Sequence, residues 1–383
     1  MNKIKVVHIV YSFEVGGVET LLLSLLNGLD KSKFDVSLIT LTSEKVALLS
    51  SLNQDIKVYK LSLTERKKKN LLYVTSIINQ LRLILKELQP HIIHNHLTAA
   101  SFFLTSLAIK SISHNVLQIK TIHTTGAIYS NENFADKARL AIEKTALRMN
   151  KTNIIGVSKA VHNNNIMHFE GIANDLKLIY NGIDLSKYNL SHYDMVLRED
   201  FGLDSQKIVV SYVARLEHGK NHDFLIDLWP NVLDKVPNAS LCFAGDGSLK
   251  ESLLLKVKEK NLQDNIIFLG SITNIADFLS ISDVAVFPSS FEGFSLVLLE
   301  YFAMHLPSVL SNIEPFEEIA TDGQNAFIVP LDEPLKFSQK IINLCKDINL
   351  RENIGNNAYL TAQRFSIERT IELHENYYLK SLK

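Results

Sequence analysis

Cysteine is scarce in this chain: Cys242 and Cys345 are the only two thiols among 383 residues. So few cysteines exclude a disulfide framework and suit a reducing compartment. Low-complexity tracts and short tandem repeats are also missing, and Phe, Tyr, Leu and Ile are common, which disfavours disorder. These features predict a well-folded cytoplasmic protein.

The chain also lacks an excess of charge of either sign. It has 40 Lys and Arg residues against 41 Asp and Glu residues, for a formal net charge of −1. A balanced chain has no bulk electrostatic attraction to nucleic acid, so we expect no nucleic-acid partner. No run of 18 apolar residues occurs, and the apolar run near the start is too short for a signal peptide. We therefore expect no segment that spans a membrane.

Apolar strands alternate with amphipathic helices in each half, and 383 residues are enough for two domains. This alternation predicts an α/β protein with two doubly wound parallel sheets. Strands are predicted at Ile4–Val10, Val36–Leu41, Ile56–Tyr59, Ile92–Asn95, Leu117–Ile122, Asn153–Val157, Ile208–Val213, Ser240–Ala244, Ile266–Leu269, Val284–Phe287, Ser308–Leu310 and Ala326–Val329. The turn residues Asn181 and Gly182, and the polar stretch that follows, place the domain boundary near residue 185.

A glycine pair follows the first predicted strand. Gly16 and Gly17 lie in a strand-to-helix turn, where ligands bind in open α/β sheets and where glycine lets backbone approach a ligand closely. The pattern G-x-G-x-x-G is absent, so a dinucleotide site is disfavoured.

Histidines end two further strands of the first half. His91, His94 and His96 crowd the segment P-H-I-I-H-N-H, and His123 follows the next strand. Three histidines suggest a metal site, but no cysteine or carboxylate cluster completes one, so we predict none. His94 and His96 are expected to face a cleft or to pack at the strand end. A histidine at the position of His123 can orient hydroxyl groups or help to balance phosphate charge.

A basic run, Arg66 to Lys69, precedes an amphipathic helix. Such a run can dock on anionic lipid, at about 1 kcal/mol per charge near the surface. The alternative interpretation is a solvated loop, and the sequence leaves both open.

The most informative stretch reads F-P-S-S-F-E-G-F-S-L, from Phe287 to Leu296. A buried strand ends there, and Ser295 can cap the helix that follows. The amides from Gly293 onward then stand at a helix entrance, which favours bound phosphate. Glu292 in the loop and Glu300 in the helix flank that position, and carboxylates accept hydrogen bonds from hydroxyls. Phosphate with hydroxyls on both sides describes a sugar nucleotide.

A second cationic loop follows the strand that ends at Val213. Arg215 and Lys220 lie in this strand-to-helix loop, Arg as a planar fork and Lys as a point charge. Together the two cations would clamp a diphosphate.

The spacing of Glu292 and Glu300, with A-M-H-L-P after them, resembles the E-x7-E signature of the retaining GT-B glycosyltransferases of family four. The segment A-R-L-E-H-G-K-N resembles that family's G-R-L-x-x-x-K-G, with Ala214 and Asn221 at its glycine positions. The linker I-Y-N-G-I-D-L-S-K-Y resembles P-N-G-I/V-D-x-x-x-F. After Pro307 the chain departs from the family pattern, because no glycine pair precedes Glu317.

The resemblance implies two Rossmann-like domains that face a cleft: an acceptor-side domain over residues 1–184 and a nucleotide-sugar domain over residues 185–365. The helix 366–383 is expected to pack back on the first domain. The implied catalytic residues are His123, Glu292, Arg215 and Lys220. The implied donor-binding residues are Gly16, Gly17, Gly245, Gly293, Phe294, Ser295, Leu296 and Glu300. Within these sets, Glu292 faces the donor sugar, Glu300 the ribose, and His123 both donor sugar and acceptor.

The implied reaction moves a sugar, with retention, from a UDP-hexose or UDP-N-acetylhexosamine to a hydroxyl of a glycan or lipid-linked acceptor. No metal and no further cofactor are expected. Capsule, exopolysaccharide or lipopolysaccharide synthesis is the implied setting, with peripheral membrane contact open. Two alternatives stay open: a UDP-sugar epimerase or hydrolase, and a sugar-nucleotide-binding partner subunit. The latter is expected to lose Arg215, Lys220 or Glu300, and all three are present.

Overall fold

The computed structural model describes residues 3–14, 16–64, 70–112, 115–124, 134–193 and 195–382. The chain divides into two compact units. The first unit is Met1–Gly182 with Ile367–Lys383, and the second is Ile183–Ser366. Ile183 and Ser366, where the chain enters and leaves the second unit, pair in a parallel β-bridge.

The first unit contains a parallel sheet of seven strands. They are β1 (Ile4–Val10), β2 (Phe34–Thr40), β3 (Lys57–Lys60), β4 (Ile92–Asn95), β5 (Leu117–Ile122), β6 (Asn153–Gly156) and β7 (Asp175–Leu178), in the spatial order β3-β2-β1-β4-β5-β6-β7. Its helices are α1 (Gly17–Gly28), α2 (Leu71–Leu88), α3 (Ala99–Lys110), α4 (Phe134–Met149), α5 (Lys159–Phe169) and the C-terminal α13 (Ile367–Ser381). Apolar runs such as I-K-V-V-H-I-V form strands because both faces of a parallel sheet are covered by helices.

The second unit repeats this plan with six parallel strands. They are β8 (Ile208–Val213), β9 (Ala239–Ala244), β10 (Ile266–Gly270), β11 (Val284–Phe287), β12 (Ser308–Ser311) and β13 (Phe327–Val329), in the order β10-β9-β8-β11-β12-β13. Its helices are α6 (His222–Lys235), α7 (Lys250–Glu259), α8 (Ile275–Ser280), α9 (Leu296–Ala303), α10 (Glu314–Glu317), α11 (Pro334–Lys346) and α12 (Ile348–Ala362). The predicted fold class of two doubly wound parallel sheets is therefore confirmed.

One strand escaped the sequence analysis. The segment D-L-K-L forms β7 at the edge of the first sheet, where it pairs only with β6. Its residues are exposed or half-buried, because an edge strand has one open side. A short strand with two charged residues gives no apolar run, which is the signal on which the prediction depends.

Helix α13 packs on the first unit although it comes last in the chain. It lies against α1, where a Cβ atom on Gly28 would stand 2.3 Å from Ile371 Cδ1. Tyr378 is fully buried in the core cluster formed around β1 and α1. The Tyr377 hydroxyl donates to Asp175 Oδ2 at 2.8 Å, and the Thr370 hydroxyl donates to the Tyr180 carbonyl at 3.0 Å. The last helix thus completes the core of the first unit.

None of the helices formed by the described residues is long and apolar enough to cross a membrane. The basic run from Arg66 to Lys69, predicted to contact lipid or solvent, lies outside the described residues.

Candidate active site

The strand order of the second unit creates a crevice at one edge of its sheet. Strand β8 lies between β9 and β11, so the chain leaves β8 toward one side and returns on the other. The loops after β8 and β11 therefore diverge around the carboxyl ends of these strands, which is where open α/β sheets bind ligands. All the residues predicted to hold the diphosphate lie on these two loops or at the start of α9.

An ion pair joins the two loops. Lys220 Nζ lies 2.5 Å from Glu292 Oε1, and the two side chains are only 18% and 14% exposed. The ammonium group also stands 6.0 Å from the ring centre of Phe287 and 5.9 Å from that of Phe291. The structure therefore brings together two of the predicted catalytic residues, which are 72 positions apart in sequence.

Asn221 ties the same loops together through its side chain. Its Nδ2 donates to the Pro288 carbonyl at 2.6 Å and to Ser290 Oγ at 2.7 Å. Its backbone takes the left-handed conformation, with φ of 56°. Asparagine is among the few residues that adopt this conformation readily, so it can replace the glycine usual at this position. Asn221 thus takes a left-handed backbone conformation and joins the two loops by two hydrogen bonds.

Two glycines allow close backbone contacts beside this crevice. Gly219 has φ of 81°, and a Cβ atom there would stand 2.3 Å from the Phe291 ring. Gly245 has φ of 143°, and its Cβ atom would stand 2.0 Å from the Ala214 carbonyl oxygen. The loops after β8 and β9 are thus in backbone contact, and only glycine fits at these positions.

Helix α9 begins at the carboxyl end of β11, as predicted. Ser295 caps it: Ser295 Oγ accepts a hydrogen bond from the Leu298 amide at 3.2 Å. The preceding residue, Phe294, is buried, and its ring lies 5.6 Å from that of Phe365. Leu296 is the first residue of the helix and Gly293 lies in the loop before it. The positive end of α9 therefore opens on the crevice.

Glu300 is held by a residue that the sequence analysis did not single out. The Tyr188 hydroxyl donates a hydrogen bond to the Glu300 carboxylate. Burial raises the pKa of Glu300, and the bond from Tyr188 opposes that rise. Tyr188 stands at the Phe position of the linker pattern that this segment resembles, so its additional hydroxyl was the available signal.

Arg215 lies two residues after the end of β8, and it is exposed. Its neighbour Glu217 accepts hydrogen bonds from the amide of Ser248 at 3.2 Å and from its hydroxyl at 2.8 Å. These bonds from Ser248 lower the pKa of Glu217, and the charge of Arg215 adds to the effect. The guanidinium group is therefore at the rim of the crevice, whereas Lys220 lies within it.

Histidines gather at the corresponding edge of the first unit. His8 on β1 is in register with His94 on β4, and β5 follows on the other side. Because side chains alternate along a strand, His96 and His123 continue on the face of His94 and Thr121. The rings of His94 and His96 lie 4.4 Å apart, and those of His96 and His123 lie 5.4 Å apart.

These side chains form one continuous series of hydrogen bonds, which we call the imidazole relay. Its members, in order, are Thr121, His94, Tyr378, His8, His96 and His123. His94 contacts the Thr121 hydroxyl through Nε2 and the Tyr378 hydroxyl through Nδ1, both at 2.7 Å. The distance from the Tyr378 hydroxyl to His8 Nε2 is 3.5 Å. His8 Nδ1 lies 3.2 Å from His96 Nε2, and His96 Nδ1 lies 3.1 Å from His123 Nε2.

Burial keeps the imidazoles of the relay neutral near pH 7. It lowers the pKa of His8 to about 3 and that of His123 to about 4. It also lowers the pKa of His94 and His96 well below the ordinary value, and their neighbouring histidines add to the effect. The nearby His374 on α13 has its pKa lowered to about 4 by burial. His8, His374 and Tyr378 were not predicted, because a lone histidine or tyrosine in an apolar segment gives no signal.

The relay also contains a possible metal site. One nitrogen from each of His8, His94 and His96 lies within 4.8 Å of the others. Every ring nitrogen of these three residues already has a hydrogen-bond partner in the relay. The cluster is therefore satisfied without an ion, which agrees with the prediction of no metal but does not test it.

A cavity of about 450 Å³ lies beside Thr121 and His123, the two ends of the relay. Its lining includes Tyr11, Ser12, Glu19, His96, Lys120, Thr121 and His123. Gly16 caps α1 at this edge, and a Cβ atom there would stand 2.7 Å from Glu19 Oε2, so a side chain would collide with that carboxylate. Gly17 is the first residue of α1. The glycine pair thus lies close to a cavity lined by hydroxyl, imidazole and carboxylate groups.

Lys120, in the wall of this cavity, forms an ion pair with Glu143 on α4. Their side chains are 2% and 0% exposed, respectively, and the Lys120 ammonium also stands 4.4 Å from the ring centre of Phe102. Burial lowers the pKa of Lys120 because it disfavours the charged ammonium. This pair joins β5 to α4 from below the cavity.

Comparisons with known proteins identify relatives of both units. Residues 15–187 match the family model described as Glycosyltransferase Family 4, and residues 196–361 match the one described as Glycosyl transferases group 1. The glycosyltransferase EpsD of Bacillus subtilis is 28% identical over 176 residues, which are 46% of each chain.

Two further similarities extend this result. The N-acetylgalactosamine-N,N'-diacetylbacillosaminyl-diphospho-undecaprenol 4-alpha-N-acetylgalactosaminyltransferase of Campylobacter jejuni is 29% identical over 190 residues, 49% of each chain. The chain thus spans about half the length of these two curated relatives. The crystal structure of Anabaena HepE in complex with UDP and glucose superposes with a TM-score of 0.79 at 20% identity, covering 99% of this chain and 100% of that one. With one family model on each unit and this common fold, the chain belongs to the family-four glycosyltransferases of the GT-B class.

Proposed function

We propose that this glycosyltransferase moves a sugar from a UDP-hexose or UDP-N-acetylhexosamine, with retention of configuration, to a hydroxyl of a glycan or lipid-linked acceptor. The observation that carries the proposal is the ion pair of Lys220 with Glu292 at the strand-order reversal of the second unit. A cation and a carboxylate, held there on two joined loops, suit a ligand that carries phosphate and hydroxyl groups together.

The diphosphate is the leaving group. As its bond to the anomeric carbon breaks, negative charge grows on it, and the acceptor hydroxyl oxygen forms the new bond to that carbon on the same face. The hydroxyl proton passes to an oxygen of the departing diphosphate. In this proposal Lys220 exchanges Glu292 for a phosphate oxygen, and Arg215 closes on the diphosphate from the rim. The positive end of α9, at Ser295 and Leu296, supplies a third favourable interaction. These groups stabilise the departing charge without a metal ion, because they are aimed where the charge develops.

The two glutamates take the hydroxyl groups on either side of the diphosphate. When Lys220 turns to phosphate, Glu292 accepts a hydrogen bond from the donor sugar. Glu300 accepts one from the ribose while it keeps the bond from Tyr188, because an ionised carboxylate has lone pairs for several donors. Gly245 lets the nucleotide approach the end of β9.

The acceptor binds in the first unit, beside the glycine pair and His123. The cavity there is lined by neutral imidazoles and hydroxyls, which hydrogen-bond to sugar hydroxyls. HepE holds UDP and glucose, and the name of the Campylobacter relative includes a diphospho-undecaprenol acceptor. These similarities support a UDP-sugar donor and a lipid-linked acceptor in capsule, exopolysaccharide or lipopolysaccharide synthesis. A cytoplasmic location, with the basic run against the membrane, is part of the same proposal.

Thermal unfolding in the presence of UDP, GDP and ADP tests the donor site. A ligand at one hundred times its dissociation constant adds about 2.7 kcal/mol to the free energy of unfolding, so UDP is expected to raise the melting temperature most. If none of the three nucleotides changes the melting temperature, the diphosphate site is wrong.

Product analysis then separates the enzymatic alternatives. UDP-sugars are incubated with and without a panel of lipid-linked and glycan acceptors, and the products are examined by NMR. We expect an α-linked product from an α-linked donor. An epimerised or hydrolysed donor without transfer to any acceptor would instead identify an epimerase or a hydrolase.

A further inference from the structure

The imidazole relay begins and ends at the same cavity. Thr121 and His123 both line the cavity, whereas the members between them lead into the core and back. Within the described part of the chain, the Thr121 hydroxyl has one hydrogen-bond partner, His94 Nε2. His123 Nδ1 is buried and has no hydrogen-bond partner among the described residues. The series therefore has one satisfied end and one open end.

Counting protons leaves two arrangements for this series. Each neutral imidazole carries a single N–H group, and each hydroxyl donates once. A donor at one link therefore fixes the direction of the next link, through all six residues. In the inward arrangement, His123 Nε2–H donates to His96, and the series ends with His94 donating to Thr121. In the outward arrangement, Thr121 donates to His94, and the series ends with an N–H group on His123 Nδ1.

The two arrangements differ in the groups that they leave unpaired. The inward arrangement leaves the buried Thr121 hydroxyl hydrogen without a described acceptor, and it also leaves the lone pair of His123 Nδ1 unused. The outward arrangement satisfies every donor except the N–H group of His123 Nδ1, beside the cavity. Each arrangement thus leaves one buried donor unpaired. A single acceptor oxygen in the cavity would pair every N–H group, hydroxyl hydrogen and ring nitrogen of the outward arrangement, whereas the inward arrangement needs an acceptor at Thr121 and a donor at His123 Nδ1. A ligand that offers one oxygen therefore favours the outward arrangement.

We propose that the relay fixes the Nδ1–H tautomer of His123, which then donates a hydrogen bond to an oxygen of the acceptor sugar in the cavity. Tyr378, His8 and His96 are positioning residues, because they act on the sugar only through His123. The part that concerns the acceptor rests on the proposed function, whereas the tautomer is a property of the protein itself. The pKa values of the relay histidines are lowered by burial, so the imidazole that donates is uncharged near pH 7.

Tyr378 gives the sharpest test because it lies at the buried turn of the relay. Tyr378→Phe keeps the ring in the core but removes the hydroxyl that connects His94 to His8. Tyr377→Phe is the matched control: it removes a hydroxyl from the next residue of α13, whose partner is Asp175. The tautomer of His123 is read from ¹⁵N NMR of histidine-labelled protein, and its signal is assigned by its loss in His123→Gln.

We expect the Nδ1–H form of His123 in the unaltered protein and in Tyr377→Phe, and a mixture of both forms in Tyr378→Phe. An Nε2–H form in the unaltered protein, or an unchanged His123 signal in Tyr378→Phe, would overturn the proposal. These measurements need no substrate, so they stand even if the proposed reaction is wrong.

Turnover tests the connection to the acceptor. Tyr378→Phe is expected to lower kcat/KM for transfer about threefold to tenfold, the range for one neutral hydrogen bond, with the loss absent for hydrolysis of the donor by water. Tyr377→Phe is expected to leave both rates unchanged. If Tyr378→Phe shifts the tautomer but leaves transfer unchanged, the donation to the acceptor is refuted.

Discussion

The two units share a strand order but place different chemistry at the point where that order reverses. At this edge the first unit has neutral imidazoles and hydroxyls around a cavity, together with a buried ion pair beneath it. The second unit has a partly exposed ion pair between two loops and the entrance of a helix. Topology therefore decides where a ligand binds, whereas the side chains decide which ligand it is. Neutral hydrogen-bonding groups suit a sugar, and cations suit a diphosphate.

The largest expected effect is that of acid, which should destabilise the first unit more than the second. The pKa values of His8, His123 and His374 are about 3, 4 and 4 in the first unit, against 6.5 for free histidine. At a pH between the folded and unfolded pKa values, the unfolded chain binds more protons than the folded protein. The contribution of these histidines to the free energy of unfolding is therefore fully present above pH 6.5 and is lost as the pH falls. At pH 5 each of these residues is expected to lower the free energy of unfolding by about 2 kcal/mol relative to neutral pH. The second unit contributes His222, whose pKa burial lowers to about 4.

Hydrogen exchange followed by mass spectrometry measures this difference strand by strand. Between pH 7.5 and 5, after correction for intrinsic rates, β1, β4 and β5 should lose protection before β8, β9 and β11. Equal loss in both sheets would show that the buried histidines do not set the acid stability of the first unit.

The buried pair Lys120–Glu143 comes next in size and is expected to be structural. Glu143→Leu leaves the lysine buried without a counter-charge and should lower the free energy of unfolding by about 3–5 kcal/mol. The double variant Lys120→Met with Glu143→Leu should recover most of that loss, because it removes both charges. Urea unfolding of the unaltered protein, the two single variants and the double variant measures the coupling between the two residues. Additive losses in the double variant would contradict the interpretation of a coupled pair.

The pair Lys220–Glu292 should behave in the opposite way. Lys220→Ala is expected to lower transferase turnover by about 100-fold or more, as for other preorganised groups that stabilise a leaving anion. The free energy of unfolding should change by less than about 1 kcal/mol, because the pair is partly open to solvent. Lys256→Ala is the control: it breaks a pair with Asp227 on α6 and should leave turnover unchanged. Turnover unaffected by Lys220→Ala would remove that residue from the site.

The smallest effect concerns the loop that carries Lys220. Gly219→Ala adds a Cβ atom against the Phe291 ring at φ of 81°, whereas Gly202→Ala adds one in open space at φ of 70°. Both should lose about 1–2 kcal/mol of stability through backbone strain. Only Gly219→Ala should also weaken UDP binding, measured by calorimetry, because it displaces the loop. Equal UDP affinities for the two variants would show that the contact with Phe291 is irrelevant to the site.

The strands that the sequence predicts best are those buried on both faces. The bounds of β1, β4, β5, β8 and β11 coincide with the predicted ones, because apolar residues recur along each strand and polar or turn residues follow its end. The edge strand β7 gives no such run. The positions of residues at the carboxyl ends of strands, such as Arg215 and His123, could be predicted for the same reason, because they follow from the strand before them.

The side-chain partners of the site residues could not be predicted from the sequence, because they come from distant segments of the chain. Tyr378 and His94 are 284 residues apart, and no local pattern connects a C-terminal helix with the fourth strand. Tyr188 and Glu300 meet only once α9 is folded beside the linker. The reason why Asn221 can stand at a glycine position of the family pattern is likewise visible only in the structure, which shows its backbone angle and its hydrogen bonds.

The position of α13 has a consequence for how the protein is made. During synthesis the ribosome releases all of residues 183–366 before the helix that closes the first core exists. The second unit is contiguous and can reach its native state while the nascent chain is still attached. The first unit, although translated earlier, cannot complete its core until the last segment is made, and until then the apolar surface of β1 and α1 that receives Tyr378 stays uncovered.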